Sequence, residues 1–126
     1  MYPCLAIDCT DKISSIALSD GDRLWQVAGD SQQRQARKIL SLVDECLDQA
    51  KMDKSQLKSL CWAAGPGSFT GLRIATAVSQ GLAYALKLPL LAVSSLEALA
   101  ISAVRAQPEL EGPILVIADA YMGEYY

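Results

Sequence analysis

The hydrophobic period of this chain changes near residue 30, and that change restricts the fold more than any other feature. Residues 3–9 (PCLAIDC) are a short apolar run that reads as a buried strand. A turn at Thr10-Asp11-Lys12 leads into a second strand over 13–19 (ISSIALS). Asp20-Gly21-Asp22 contains the Asp-Gly pair of a tight hairpin, and 23–28 (RLWQVA) form a third strand. From Gln32 to Lys51 the apolar residues instead fall at Ala36, Ile39, Leu40, Val43, Cys46, Leu47 and Ala50, which is helical spacing with one buried stripe. Asp30 or Ser31 can cap this helix, and Asp30 with Gln33 resembles a capping box.

Beyond the helix the units alternate. Residues 59–64 (SLCWAA) read as a buried strand, Gly65 to Gly71 as a turn-rich loop, Leu72 to Leu86 as a helix, and Leu90–Val93 as a short strand. Ser94 with Glu97 forms a capping box that opens a helix to about Ala106. Pro108 to Pro113 is a breaker-rich linker, and Ile114 to Ala118 is a new strand. A meander feeding α/β crossovers predicts an α/β fold with a mixed sheet and helices on both faces. The final segment repeats the first, because Leu5-Ala6-Ile7-Asp8 and Val116-Ile117-Ala118-Asp119 are both apolar strands ending in Asp. Glu124-Tyr125-Tyr126 reads as the start of a strand. The expected organisation is an N-terminal domain over 1–108, a linker over 109–112, and over 113–126 the first hairpin of a second, similar domain, the chain being a fragment of a longer two-domain protein.

Composition removes whole classes of chemistry. The 126 residues include no His, which excludes Ser-His-Asp, Cys-His and His-based zinc chemistry within this chain. Cys4, Cys9, Cys46 and Cys61 form no C-x-x-C pair and read as small buried hydrophobes in a reducing compartment. A formal net charge of −3 implies no basic patch of the kind that grips nucleic acid unaided. No signal peptide is visible, and the most apolar stretch, Leu82 to Val93, is interrupted by Lys87 and Pro89 and is too short to span a bilayer. A soluble, cytoplasmic protein is expected.

The loop Gly65-Pro66-Gly67-Ser68-Phe69-Thr70-Gly71-Leu72-Arg73 is the most informative segment. It joins a strand to a helix start, where free N–H groups and the helix dipole favour an anion. Its three Gly permit close approach of a ligand or of another backbone. Ser68 and Thr70 can cap the helix or donate to phosphate, and Arg73 adds positive charge. The spacing is neither a P-loop nor a Rossmann fingerprint. A tight connection and an anion site both remain open. Asp8 and Asp119 each read as a turn-forming Asp, or as cleft residues facing each other from two related turns. Along the second helix Ala77, Gly81 and Ala85 recur every four residues, a small stripe that lets another helix approach closely.

Taken together, Leu5-Ala6-Ile7-Asp8-Cys9-Thr10, the loop from Gly65 to Ile74, Gln80-Gly81-Leu82-Ala83, Val93-Ser94-Ser95-Leu96 and Asp119-Ala120-Tyr121-Met122-Gly123-Glu124 resemble the TsaB (YeaZ) family of bacterial tRNA threonylcarbamoyladenosine biosynthesis proteins. The resemblance covers essentially the whole chain. It implies an actin-like ATPase (ribonuclease H-like) fold and a non-catalytic accessory role. In that family picture the catalytic paralogue TsaD holds a metal through paired His and modifies the adenosine beside the anticodon, while the ATPase TsaE completes the complex. The implied partners are TsaD, TsaE through the complex, tRNA only through the complex, and a second copy when TsaD is absent, with no membrane, no cofactor, no metal and no catalytic residue. The expected interface is Ala77, Gly81 and Ala85 with Arg73 and Ile74, and Asp8, Thr10 and Asp119 would line a vestigial nucleotide cleft. Three positions depart from the family pattern: Gln35 where His is common, Tyr121 where Arg is common, and Asp8-Cys9-Thr10, which lacks the Gly of a phosphate-binding turn. The bulkier Cys9 is expected to hinder phosphate approach. The competing expectation is an enzyme of the same fold, a nucleotide-dependent phosphotransferase or a metallopeptidase-like protein, using Asp8, Thr10, Ser68 and Asp119.

Overall fold

The computed structural model describes residues 1–30, 36–121 and 123–126. Ser31, Gln33, Gln35 and the other residues between Asp30 and Ala36 lie outside the described residues, so the expected cap of the first helix falls there.

Three strands, β1 (Cys4–Asp8), β2 (Ile13–Ser19) and β3 (Leu24–Asp30), form the expected antiparallel meander. The turn between β2 and β3 is closed by Asp20, whose carboxylate accepts from the N–H groups of Asp22 (3.1 Å) and Arg23 (2.7 Å) and from the Arg23 guanidinium (2.9 Å). Gly21 supplies the positive φ of +104° that the turn requires. The Arg23 N–H first, and then its guanidinium, hold the Asp20 carboxyl below its ordinary value.

Helix α1 (Ala36–Ala50) returns the chain to β4 (Ser59–Gly65), and α2 (Phe69–Leu86) returns it to β5 (Leu90–Ser94). Both strands run parallel to β1, giving a mixed five-stranded sheet in the order β3-β2-β1-β4-β5. The alternation of each strand assigns the two sheet faces. Leu5, Ile7, Ile16, Leu18 and Leu60 are buried on one face. Over them lie Ile39, Val43, Cys46 and Leu47 of α1 and Ala75, Val78 and Ala83 of α2. Each fully buried aliphatic side chain contributes about 1.5–3 kcal/mol, so this layer dominates stability. The α2 helix ends at Lys87, which adopts a left-handed φ of 55° and whose N–H bonds to the carbonyl oxygens of Ala83 and Tyr84.

On the opposite face stand Cys4, Ala6, Asp8, Cys61 and Ala63, all half-buried. Helix α3 (Ser95–Ala106) packs on β4 and β5 and buries none of its residues fully. Of the expected capping box, the Ser94 half forms, with Ser94 Oγ accepting from the Glu97 N–H at 3.4 Å.

Two expectations need correction. The loop after β4 comprises only residues 66–68, because β4 runs on to Gly65 and α2 starts at Phe69 rather than Leu72; Thr70 and Gly71 therefore belong to the first turn of the helix. The apolar segment Ile114–Ala118 is not a strand. Pairing begins later, between β6 (Asp119–Tyr121) and β7 (Glu124–Tyr125), and reciprocal backbone bonds between Ala118 and Tyr126 extend it by one step. Asp119 thus starts a strand instead of ending one. No described strand lies beside residues 114–117, and an apolar run without a ladder partner cannot satisfy its backbone as a strand.

Candidate functional site: a cleft and a helix face

The glycine loop is shaped by the turn on which it sits. Gly65 has a φ of +105°, favoured only for glycine. A Cβ on Gly67 would lie 2.6 Å from Thr10 Cβ and 2.7 Å from the Thr10 carbonyl oxygen. On Gly71 it would lie 1.8 Å from the Cys9 carbonyl oxygen, an impossible contact. The Ser68 N–H donates to that Thr10 carbonyl at 2.7 Å, and Ser68 Oγ accepts from the Gly71 N–H at 3.4 Å. Beneath them, Asp8 Oδ1 accepts from the Thr10 N–H (2.8 Å) and from Thr10 Oγ1 (2.7 Å).

These contacts explain Gly67 and Gly71 as a tight connection. The backbone that comes close to Gly67 and Gly71 is the chain's own β1–β2 turn. Two N–H groups at the helix start, those of Ser68 and Gly71, are already bonded within the chain. Ser68 is the helix cap, as one of its two expected roles required. Cys9 is 1% exposed and belongs to the core cluster.

Asp8, Thr10, Gly67 and Ser68 nevertheless line one wall of a cavity of about 500 Å³, with Asp119 and Ala118 on another wall and Ser95, Leu99 and Ser102 of α3 on a third. The structure therefore brings the two Asp turns to one cleft. Among the described residues no group of three or more His, Cys, Asp or Glu could hold a metal ion.

The second candidate region is the outer face of α2. Its inner stripe, Gly71, Ala75, Val78, Ser79 and Ala83, is buried against the sheet. Ala77, Gly81 and Ala85 all point outward and are exposed, and a Cβ on Gly81 would meet nothing within 4 Å. Arg73 is also outward, but it stacks on the Phe69 ring at 3.9 Å instead of adding charge to the loop. Ile74 is half-buried and packs partly against the core. Phe69 (68% exposed) and Tyr84 (89% exposed) lie on the same outer side of the helix. Sequence reasoning missed both aromatics. Their signal was the spacing 69, 73, 77, 81, which places Phe69 on the small stripe, with Tyr84 one turn beyond Gly81.

Of the four Cys, Cys9 and Cys46 are buried as expected. Cys4 and Cys61 are half-buried neighbours on the open sheet face. The Cys61 thiol, aided by Ser59 and the N-terminal ammonium and opposed by burial, lowers Cys4 to about 6. Cys61 is pushed up, first by the same contact and then by burial, and burial also raises Cys46.

Residues 29–126 match the family model of TsaD, the tRNA N6-adenosine threonylcarbamoyltransferase. The chain belongs to the TsaD family. Within it, the chain resembles proteins named TsaB or YeaZ along nearly its whole length. It is 33% identical over 97% of its residues to the tRNA threonylcarbamoyladenosine biosynthesis protein TsaB of Haemophilus influenzae, covering 51% of that protein. The structure of YeaZ from Pseudomonas aeruginosa superposes with a TM-score of 0.88 at 37% identity, over 99% of this chain and 58% of that one. A tRNA N6-adenosine threonylcarbamoyltransferase of Legionella pneumophila (strain Lens) is 38% identical over 79 residues, 63% of this chain and 24% of that protein. The chain spans about half the length of the TsaB relatives it matches. The sheet order and the flanking helices agree with the actin-like ATPase, ribonuclease H-like fold that the TsaD-family resemblance implies. Among the described residues, no helix is long and apolar enough to cross a membrane.

Proposed function

We propose that this chain acts as a non-catalytic accessory subunit in forming threonylcarbamoyladenosine in tRNA, binding the catalytic subunit TsaD through the outer face of α2. The observation that carries this reading is the outward stripe of Ala77, Gly81 and Ala85 flanked by exposed Phe69 and Tyr84. Small residues at the centre let a partner helix approach to backbone distance, and the aromatics supply the apolar area around it. Similarity to proteins named TsaB supports the pathway. Bound in this way, the subunit shifts TsaD toward its active arrangement by contacting that arrangement better than others. TsaE and tRNA join only through the complex, and a second copy of the chain takes the same face when TsaD is absent. No cofactor and no catalytic residue are assigned to the chain, and it works in the cytoplasm. Residues 1–108 are read as one domain, 109–112 as a linker, and 113–126 as the opening hairpin of a second; the separate β6–β7 sheet supports this division.

The test is Gly81→Leu. The new side chain enters open space, so the fold is expected to survive while co-purification with TsaD is lost. A folded variant that still co-purifies with TsaD at parental yield overturns the reading. The cleft of about 500 Å³ with Asp8 and Asp119 favours a second reading, a nucleotide-dependent phosphotransferase or metallopeptidase-like enzyme. Titration calorimetry with ATP and magnesium separates the two, since the accessory role predicts no turnover by the purified chain.

A further inference from the structure

The open face of the sheet carries a feature that the proposed partner surface does not use. Cys4 on β1 and Cys61 on β4 project from the same face of adjacent parallel strands. In the register Cys4 stands opposite Ser59 and Ala6 opposite Cys61, so the two thiols are offset by one side-chain step along the strands. Both are half-buried, and both lie on the sheet face that α1 and α2 leave uncovered.

The offset decides what chemistry the pair can do. Strands about 4.8 Å apart with a two-residue stagger put the two Cα atoms roughly 8 Å apart. A disulfide needs Cα atoms within about 6.8 Å, so a direct S–S bond is out of reach without moving the backbone. A bridging ion extends that reach, because two metal–thiolate bonds of about 2.3 Å span sulfurs more than 4 Å apart.

We propose that Cys4 and Cys61 form a two-thiolate clamp for a soft monovalent cation of the Cu(I) class. The surroundings select this class. Thiolate ligands prefer soft ions. Zinc requires four ligands, and among the described residues no third His, Cys, Asp or Glu joins the pair. The nearby hydroxyl of Ser59 already donates to the Met1 carbonyl at 2.6 Å, which leaves two sulfurs and a two-coordinate geometry. Cys9 and Cys46 are fully enclosed in the core and do not compete.

The test uses the reduced 126-residue chain under anaerobic conditions, titrated with Cu(I) against a chromogenic Cu(I) chelator. One copper per chain is expected. Cys4→Ser and Cys61→Ser should each weaken binding by more than the roughly 10–100-fold typical of losing an outer-sphere partner. Failure of the parent chain to take copper from the chelator, or parental affinity in either variant, overturns the proposal. A second measurement needs no variant. Bound copper should shield both thiols from iodoacetamide in the folded parent, as read by peptide mass mapping, and equal labelling of Cys4 and Cys61 with and without copper also overturns it.

Discussion

Helices α1 and α2 lie side by side on the same face of the sheet, yet their outer surfaces differ. On α1 the outward residues include Arg37, Asp44, Glu45, Asp48 and Gln49, a surface suited to water. On α2 they include Phe69, Arg73, Ala77, Gly81, Tyr84 and Ala85, with the polar Thr70 and Gln80, so small residues are flanked by two exposed rings. Both helices bury a comparable inner stripe on the same core. The difference therefore owes nothing to folding the sheet. Of the two, α2 exposes the larger aromatic area.

The strongest way to break this comparison is at the buried start of α2. Gly71→Ala drives a Cβ into the Cys9 carbonyl, and a loss of about 4 kcal/mol or more, or no cooperative unfolding at all, is expected in urea titrations. Next, Ile39→Ala on the inner stripe of α1 should cost about 2–5 kcal/mol in the same assay without a specific effect on partner binding. On the outer faces the two helices should separate cleanly. Gly81→Leu should abolish association while changing stability by less than about 1 kcal/mol, whereas Asp48→Ala on α1 should leave both unchanged. Gly81→Ala should raise stability by roughly 0.5–1 kcal/mol, because the site is open and helical; the same substitution at Gly71, ten residues earlier, has the opposite sign.

The smallest effect lies away from both helices. Asp20 has its folded carboxyl held below the ordinary value of 3.8, so its contribution is complete above that value and is lost as pH falls through the lower folded value. A thermal melt series in acid should show a slight extra decline for the parent that Asp20→Asn lacks, and neither should differ in association.

Much of the fold was legible from periodicity. The alternation of Leu5, Ile7, Ile16 and Leu18 and the helical spacing from Ile39 to Leu47 both mark residues that the structure buries. The cap at Ser68, the hairpin at Asp20-Gly21 and the outward stripe of α2 were readable because each depends on a local pattern. Ile114–Ala118 misled because composition signals a strand but cannot supply its partner. Ile74 sits at the border of the helix face, where packing draws it partly against the core.

The sequence alone determined the order of elements, the two burial periods and the exclusion of His-based chemistry, since these follow from residue type and spacing along one chain. Tertiary structure decided what the glycines are for. Whether Gly67 and Gly71 make room for a phosphate or for the backbone of Thr10 and Cys9 depends on a contact between segments some 60 residues apart, and such a contact leaves no periodic trace in the chain. The same holds for Cys4 and Cys61, which become neighbours only through the register of β1 against β4.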